Sequence, residues 1–148
     1  MRALLQRVSR AEVRVDADTI ASIGPGLVIL LGVGHDDGDA VADSLARRVT
    51  DLRIFEDDDA RTNRSILDVS GSALVVSQFT LYADTSRGRR PGFTDAADPK
   101  TADRSYQRFA SALREQGVSD VQTGRFGAEM AVELVNDGPF TIWLDTDR

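Results

Sequence analysis

Leu27-Val28-Ile29-Leu30-Leu31-Gly32-Val33 carries no charged or polar side chain from end to end. An apolar run this short, bounded by Gly24-Pro25-Gly26 on its upstream side, reads as a strand covered on both faces. Such a strand needs neighbours, and the flanking sequence supplies them. Upstream, Leu4 to Val15 holds Val8, Val13 and Val15 and predicts a first strand. A turn at Asp16-Ala17-Asp18 leads to a short second strand ending near Ile23. Downstream, Val41, Leu45, Val49 and Leu52 recur at helical spacing, and Asp37-Gly38-Asp39 offers N-cap oxygens. This helix is expected to end near Leu52.

Farther along, Arg53-Ile54-Phe55 predicts a short strand, Glu56 to Arg64 a polar turn, and Ala73 to Leu81 a Val-rich strand introduced by Gly71. Asp84 to Ala97 is a long loop rich in Arg, Gly and Pro, of the kind that usually serves function. A second helix is marked at both ends: Asp98 caps it, Pro99 suits its first position, and Gly117 suits the residue beyond its end. Tyr106, Phe109, Ala110 and Leu113 form its apolar stripe. Strands follow at Asp120–Thr123, Met130–Val135 and Phe140–Leu144, with Met130, Val132 and Leu134 sharing one face. These elements predict an α/β fold: one domain over residues 1–148, with mixed, largely antiparallel, curved and barrel-like sheet and two packed helices. A doubly wound parallel sheet would need more helices between its strands.

The composition narrows the chemistry. The 148 residues include no cysteine, which removes disulfides, thiolate metal sites and cysteine nucleophiles. His35 is the only histidine, so a Ser-His-Asp triad must use it, and its setting in Gly34-His35-Asp36-Asp37 is that of a surface loop. Gly24-Pro25-Gly26 and Gly32-Val33-Gly34 lack the rest of a phosphate-binding loop. Asp57-Asp58-Asp59 resembles a metal loop, but Arg61 stands where another oxygen ligand belongs, and a solvated turn fits better. No metal and no cofactor are expected. The net charge of −6 argues against broad, sequence-independent binding to nucleic acid, DNA included. The first seven residues break their apolar run with charge too early for a signal peptide, and no stretch reaches the ~18 apolar residues of a membrane span. A cytoplasmic, non-membrane protein is expected.

Two polar interruptions of apolar strands remain. In Ser77-Gln78-Phe79-Thr80-Leu81-Tyr82, strand alternation puts Gln78 and Thr80 on the face of Leu74 and Val76. Polar groups so placed are either paired within the core or aimed into a pocket. In Asn136-Asp137-Gly138-Pro139-Phe140-Thr141, a hairpin turn is the ordinary reading. The Gly-Pro bond can also be cis, and a glycine lets backbone approach a ligand closely.

Together these segments make the chain resemble the D-aminoacyl-tRNA deacylase (D-tyrosyl-tRNA(Tyr) deacylase) family nearly end to end. The matching stretches are Gln6-Arg7-Val8, Arg53-Ile54-Phe55, Ser77-Gln78-Phe79-Thr80-Leu81, Arg90-Pro91-Gly92-Phe93, Thr123-Gly124-Arg125-Phe126 and Asn136-Asp137-Gly138-Pro139. Departures at Gly92 and Phe140 bear on side-chain packing. The resemblance implies a homodimeric ester hydrolase acting on the 3′ end of tRNA carrying a D-amino acid. Gln78, Phe79 and Thr80 would form its catalytic segment, with Ser77, Gly138, Pro139, Arg7 and Met130 binding substrate. It further implies that backbone N–H groups near Phe79 and Thr80 hold the substrate while the 2′-hydroxyl of the terminal ribose assists. Thr80 is the competing nucleophile, without an evident base. Gly138-Pro139 would be a cis pair inserted from the partner subunit, excluding L side chains, with Arg7 holding it; an arginine paired on a strand surface is the other reading of Arg7. Met130 lines the adenosine pocket or fills core. Glycine is achiral, so glycyl-tRNA(Ala) is an expected second substrate.

Two other functions compete. A noncatalytic tRNA-binding module would use Arg87, Arg89 and Arg90, a basic run suited either to the acceptor stem or to plain solvation. A general small-ester hydrolase would ignore chirality.

Overall fold

In the computed structural model, which describes Met1 to Arg148, the apolar run becomes β3 (Gly26–Gly32) and is covered on both sides. Leu27, Ile29 and Leu31 enter one core, while Val28 enters a second with Leu30 packed against it. Each large apolar side chain so buried contributes about 1.5–3 kcal/mol.

β1 (Arg2–Val15) organises the rest. Its first half pairs antiparallel with β3, its second half with β2 (Asp18–Ile23), and its other edge along most of its length with β8 (Ala131–Asp145). Beyond β3 lie β6 (Ser72–Ser77) and then β7 (Val121–Thr123), both parallel. The sheet curls until Ser22 of β2 donates its N–H to Gln122 Oε1 of β7 at 2.9 Å, which nearly closes a barrel. Inside sit Val8, Val13, Ile23, Val28, Leu74 and Val76. Outside, α1 (Asp39–Asp51) and α2 (Pro99–Glu115) cover the other face through Leu45, Val49, Tyr106, Phe109 and Leu113. The expected mixed, largely antiparallel, barrel-like α/β fold with two helices is what forms.

Several local expectations change. α1 is capped by Gly38 without a side-chain bond, not by the flanking aspartates. Asp37 is spent elsewhere: its buried carboxylate receives the Met1 ammonium at 2.6 Å, the Gly34 N–H at 2.7 Å and the Tyr82 hydroxyl at 3.1 Å. Burial, reinforced by that carboxylate, pushes the Tyr82 phenol well above its ordinary range. The strand expected at Arg53–Phe55 is displaced to β4 (Phe55–Glu56), pairing with β5 (Thr62–Arg64) inside the expected turn. α2 starts as expected, with Asp98 accepting the N–H groups of Lys100 and Thr101 at 3.0 and 3.1 Å. Gly117 follows its end at φ +109°.

The largest correction concerns the C-terminal strands. Met130–Val135 and Phe140–Leu144 are not two strands joined by a hairpin. Both run antiparallel to β1 as one strand, β8, so the chain never reverses between them. Gln6 faces Thr141 and Val8 faces Asn136, leaving Arg7 alone opposite Asp137 to Phe140. The intervening residues form a bulge.

Candidate active site

The end of β6 is set by its neighbours. Gln78 donates its N–H to the Leu31 carbonyl at 2.7 Å, the last link to β3. Phe79–Tyr82 then turns as a 3-10 helix, with Gln78 as its cap. The expected strand to Leu81 is thus four residues too long, and Thr80 does not share the face of Leu74 and Val76. The N–H groups of Phe79 and Thr80 occupy the first two positions of this turn, where no internal acceptor exists. Neither donates to a loop or cap carbonyl.

A cavity of about 600 Å³ opens beside this turn. Val76, Ser77, Gln78 and Phe79 form one wall, and Phe93, Ala96 and Ala97 of the long loop another. Val33 after β3, Pro99 and Ala102 at the start of α2, then Phe126 to Ala128, Met130 and Val132, complete it. Eleven of the 15 lining residues are apolar, so the space suits an apolar side chain with few polar anchors. Phe79, 54% exposed, meets Phe93 edge-on at 4.9 Å. Loop 84–97 is pinned against β3's end: Ala97 donates to the Val33 carbonyl at 2.9 Å, and Gly34 bridges Ala96. His35, the sole histidine, is exposed and lies 2.5 Å from the Thr94 carbonyl, a loop contact rather than part of the cavity.

The structure therefore gathers Ser77, Gln78, Phe79 and Met130 in one cavity. Met130 also packs against the inner core, as its core reading expects. Thr80 does not line the cavity, and its Oγ1 accepts from Gln78 Nε2. No carboxylate, lysine or histidine lines it either. Phe93, Phe126, Pro99 and Ala102 are not among the expected site residues, since isolated residues in loops and helix starts carry no periodic signal that points to a cavity. Tyr106 braces the wall from behind. Its hydroxyl donates to the Val75 carbonyl at 2.9 Å, its ring meets Phe126 at 6.0 Å, and burial pushes its pKa up to about 12.

Arg7, Gly138 and Pro139 lie apart from this cavity. Arg7 is buried, and its guanidinium fills the bulge it faces: Nε donates to the Asp137 carbonyl at 3.0 Å, Nη1 to the Ile54 carbonyl at 2.7 Å, and the group lies 4.8 Å from the Phe140 ring. Arg7 is thus buried rather than on a strand surface, although its Nε also lies 3.9 Å from Asp137 Oδ2. Gly138-Pro139 is cis, and both residues are exposed. Gly138 has φ +136°, and a Cβ there would come 3.0 Å from Phe140 N and 3.1 Å from Arg7 Nη2. Asn136 closes the bulge, its Oδ1 accepting the Phe140 N–H at 2.9 Å.

Residues 4–145 match the family model described as D-Tyr-tRNA(Tyr) deacylase. The D-aminoacyl-tRNA deacylase of Ruegeria pomeroyi is 57% identical over 98% of this chain and 99% of its own. That of Thermomicrobium roseum is 59% identical over 99% and 94%. Among solved structures, one titled c-Myc DNA Unwinding Element Binding Protein superimposes with TM-score 0.93 at 36% identity, covering 99% of both chains. A second, titled as a probable eukaryotic D-amino acid tRNA deacylase, shares the fold at TM-score 0.84 and 19% identity over 97% of both.

Proposed function

The chain belongs to the D-Tyr-tRNA(Tyr) deacylase family and is a D-aminoacyl-tRNA deacylase, and from that premise we propose how its site works. The observation that carries the reading is the cavity beside two N–H groups without an acceptor, at Phe79 and Thr80. The D-amino acid enters the apolar space, and the ester carbonyl meets those N–H groups. Water adds to the carbonyl, assisted by the 2′-hydroxyl of the terminal ribose. The N–H pair stabilises the oxyanion of the tetrahedral intermediate, whose collapse expels the ribose 3′-oxygen and yields free tRNA and D-amino acid. An aminoacyl ester is already activated, so positioning and charge stabilisation suffice. Ser77 and Gln78 orient the substrate, and Met130 supports the adenosine. Thr80 is a positioning residue, because its hydroxyl has no base.

Chirality is set by a second copy of the chain. β8 has an open edge, with Val135 and Trp143 42% and 45% exposed, a surface suited to covering by a partner. The exposed Gly138-Pro139 bulge projects from the same strand, held from behind by Arg7. In the homodimer this bulge enters the partner's cavity, where its carbonyls hold the substrate amino group and leave no room for an L side chain. Glycine has no side chain to exclude, so glycyl-tRNA(Ala) is also hydrolysed. The enzyme acts in the cytoplasm on tRNA, without metal or cofactor, and DNA is not a substrate.

Release of amino acid from D-tyrosyl-tRNA and L-tyrosyl-tRNA, measured side by side with chelator present, tests this reading. Rapid release from the D-ester alone is expected. Binding without release would make the chain a tRNA-binding module, and equal release from both, or from free esters, a general esterase.

A further inference from the structure

Arg87, Arg89 and Arg90 stand out against a chain of net charge −6. All three are exposed, and none has a carboxylate within 4.0 Å, which places three free guanidiniums within the four residues Arg87 to Arg90. The nearest acid in sequence is already committed: Asp84 Oδ1 accepts the Ser86 N–H at 2.9 Å. The excursion is also built rather than loose. Asp84 and Gly92 exchange both backbone hydrogen bonds, at 2.8 and 2.9 Å, and close its base. Gly88 turns its tip at φ +73°. Phe93, the next residue after that base, is a wall of the cavity.

A short loop carrying three unpaired guanidiniums, its closed base followed directly by the cavity wall residue Phe93, is an electrostatic feature with a direction. Unpaired arginines repel one another, and nothing in the fold offsets that repulsion. An array of phosphates would. Resting on the deacylase reading, we infer that Arg87, Arg89 and Arg90 grip the backbone phosphates of the tRNA acceptor end while the aminoacylated ribose lies in the cavity. The loop supplies affinity without base readout, since phosphate contacts position a nucleic acid rather than specify its sequence. This also reconciles a net charge of −6 with an RNA substrate, because a local cluster of three guanidiniums can meet phosphates that the chain as a whole repels.

The test compares the unaltered dimer with the triple variants R87Q/R89Q/R90Q and R87K/R89K/R90K. The Kd for uncharged tRNA is read as a function of salt, and KM and kcat for D-tyrosyl-tRNA and for D-tyrosyl-adenosine are read in parallel. In the Gln variant, Kd and KM for tRNA are expected to rise about ten-fold or more at low salt, and the salt slope to flatten by about 2–3. kcat, and both constants for D-tyrosyl-adenosine, should stay unchanged. The Lys variant should recover most of the affinity, because it keeps the point charge. Unchanged tRNA affinity in the Gln variant would overturn the proposal. So would an equal loss on D-tyrosyl-adenosine, or in the Lys variant, since the loop would then act by shaping the cavity. Failure of the unaltered enzyme to release D-tyrosine would sink the deacylase reading instead, while the Kd comparison still decides the loop.

Discussion

At Ser77 a strand buried in the sheet stops, and its chain turns along the wall of a cavity. At Asn136 a strand on the open edge of the sheet runs on past a bulge that takes no part in lining that cavity. Both segments mix amides, hydroxyls and aromatic residues, yet one turns inward and the other is displayed. The difference arises from what each strand can pair with. β6 loses its partner where β3 ends, so backbone N–H groups become available beside a space. β8 keeps β1 as its partner throughout, so its extra residues have nowhere to go but out, with Arg7 filling the gap behind them. An inward segment can bind a substrate alone. A displayed one acts only on something brought to it.

The comparison breaks first if the chemistry lies elsewhere. Replacing the terminal adenosine by its 2′-deoxy form should cost about 10²–10⁴-fold in rate, the range of a lost proton-transfer catalyst. Thr80→Ala should retain most activity. The reverse pattern, in single-turnover deacylation, would make Thr80 the nucleophile. For the displayed segment, Gly138→Ala forces a Cβ against Phe140 N and Arg7 Nη2, shifting the bulge by a few tenths of an ångström or more. A loss of up to about 10² in kcat/KM is expected, with a modest drop in melting temperature. An unchanged rate would show that the bulge takes no part.

The cavity itself can be sharpened by a smaller change. A Cβ on Gly124 would lie 2.7 Å from Met130 Sδ, the flexible end of a side chain that can move. Gly124→Ala should therefore displace Met130 and lower kcat/KM about 10-fold or more on D-tyrosyl-tRNA and glycyl-tRNA alike, since both carry the adenosine that Met130 supports. An unchanged rate on both would mean that Met130 does not hold the adenosine. The smallest effect belongs to the wall. Tyr106→Phe removes the hydroxyl bond to Val75 and should cost about 1 kcal/mol by denaturant unfolding. Burial holds this phenol neutral in the folded state up to about pH 12, above its ordinary value. Its contribution is accordingly intact below about pH 10 and lost as pH rises through about 12. The Phe variant should lose part of that alkaline dependence.

Periodic features were legible in the sequence. The two-sided burial of Leu27–Leu31, the apolar stripe of α2 and its Asp98 and Pro99 start all follow from spacing and capping, and all form. Where a tertiary partner decides, spacing misleads. Nothing near Gln78 announces that β3 ends beside it, so spacing alone extends the strand to Leu81. Asn-Asp-Gly-Pro suits a hairpin, and only the continued pairing of β8 with β1 shows a bulge. Asp37 suited a helix cap, but the Met1 ammonium, distant in sequence, claims its carboxylate. Phe93 and Phe126 reached the cavity through loops, where no period exists to read.

The central claim is that an inward segment and a displayed one from different chains make one site. Subunits damaged at Gln78 are co-folded with subunits damaged at Gly138, and the heterodimers are isolated and assayed on D-tyrosyl-tRNA. One of the two sites then collects both lesions and the other neither, so up to half of the unaltered activity per dimer should return, although each parent homodimer is impaired at both sites. Isolated heterodimers no more active than their parents would mean that Gly138-Pro139 serves its own chain, and the shared site would be wrong.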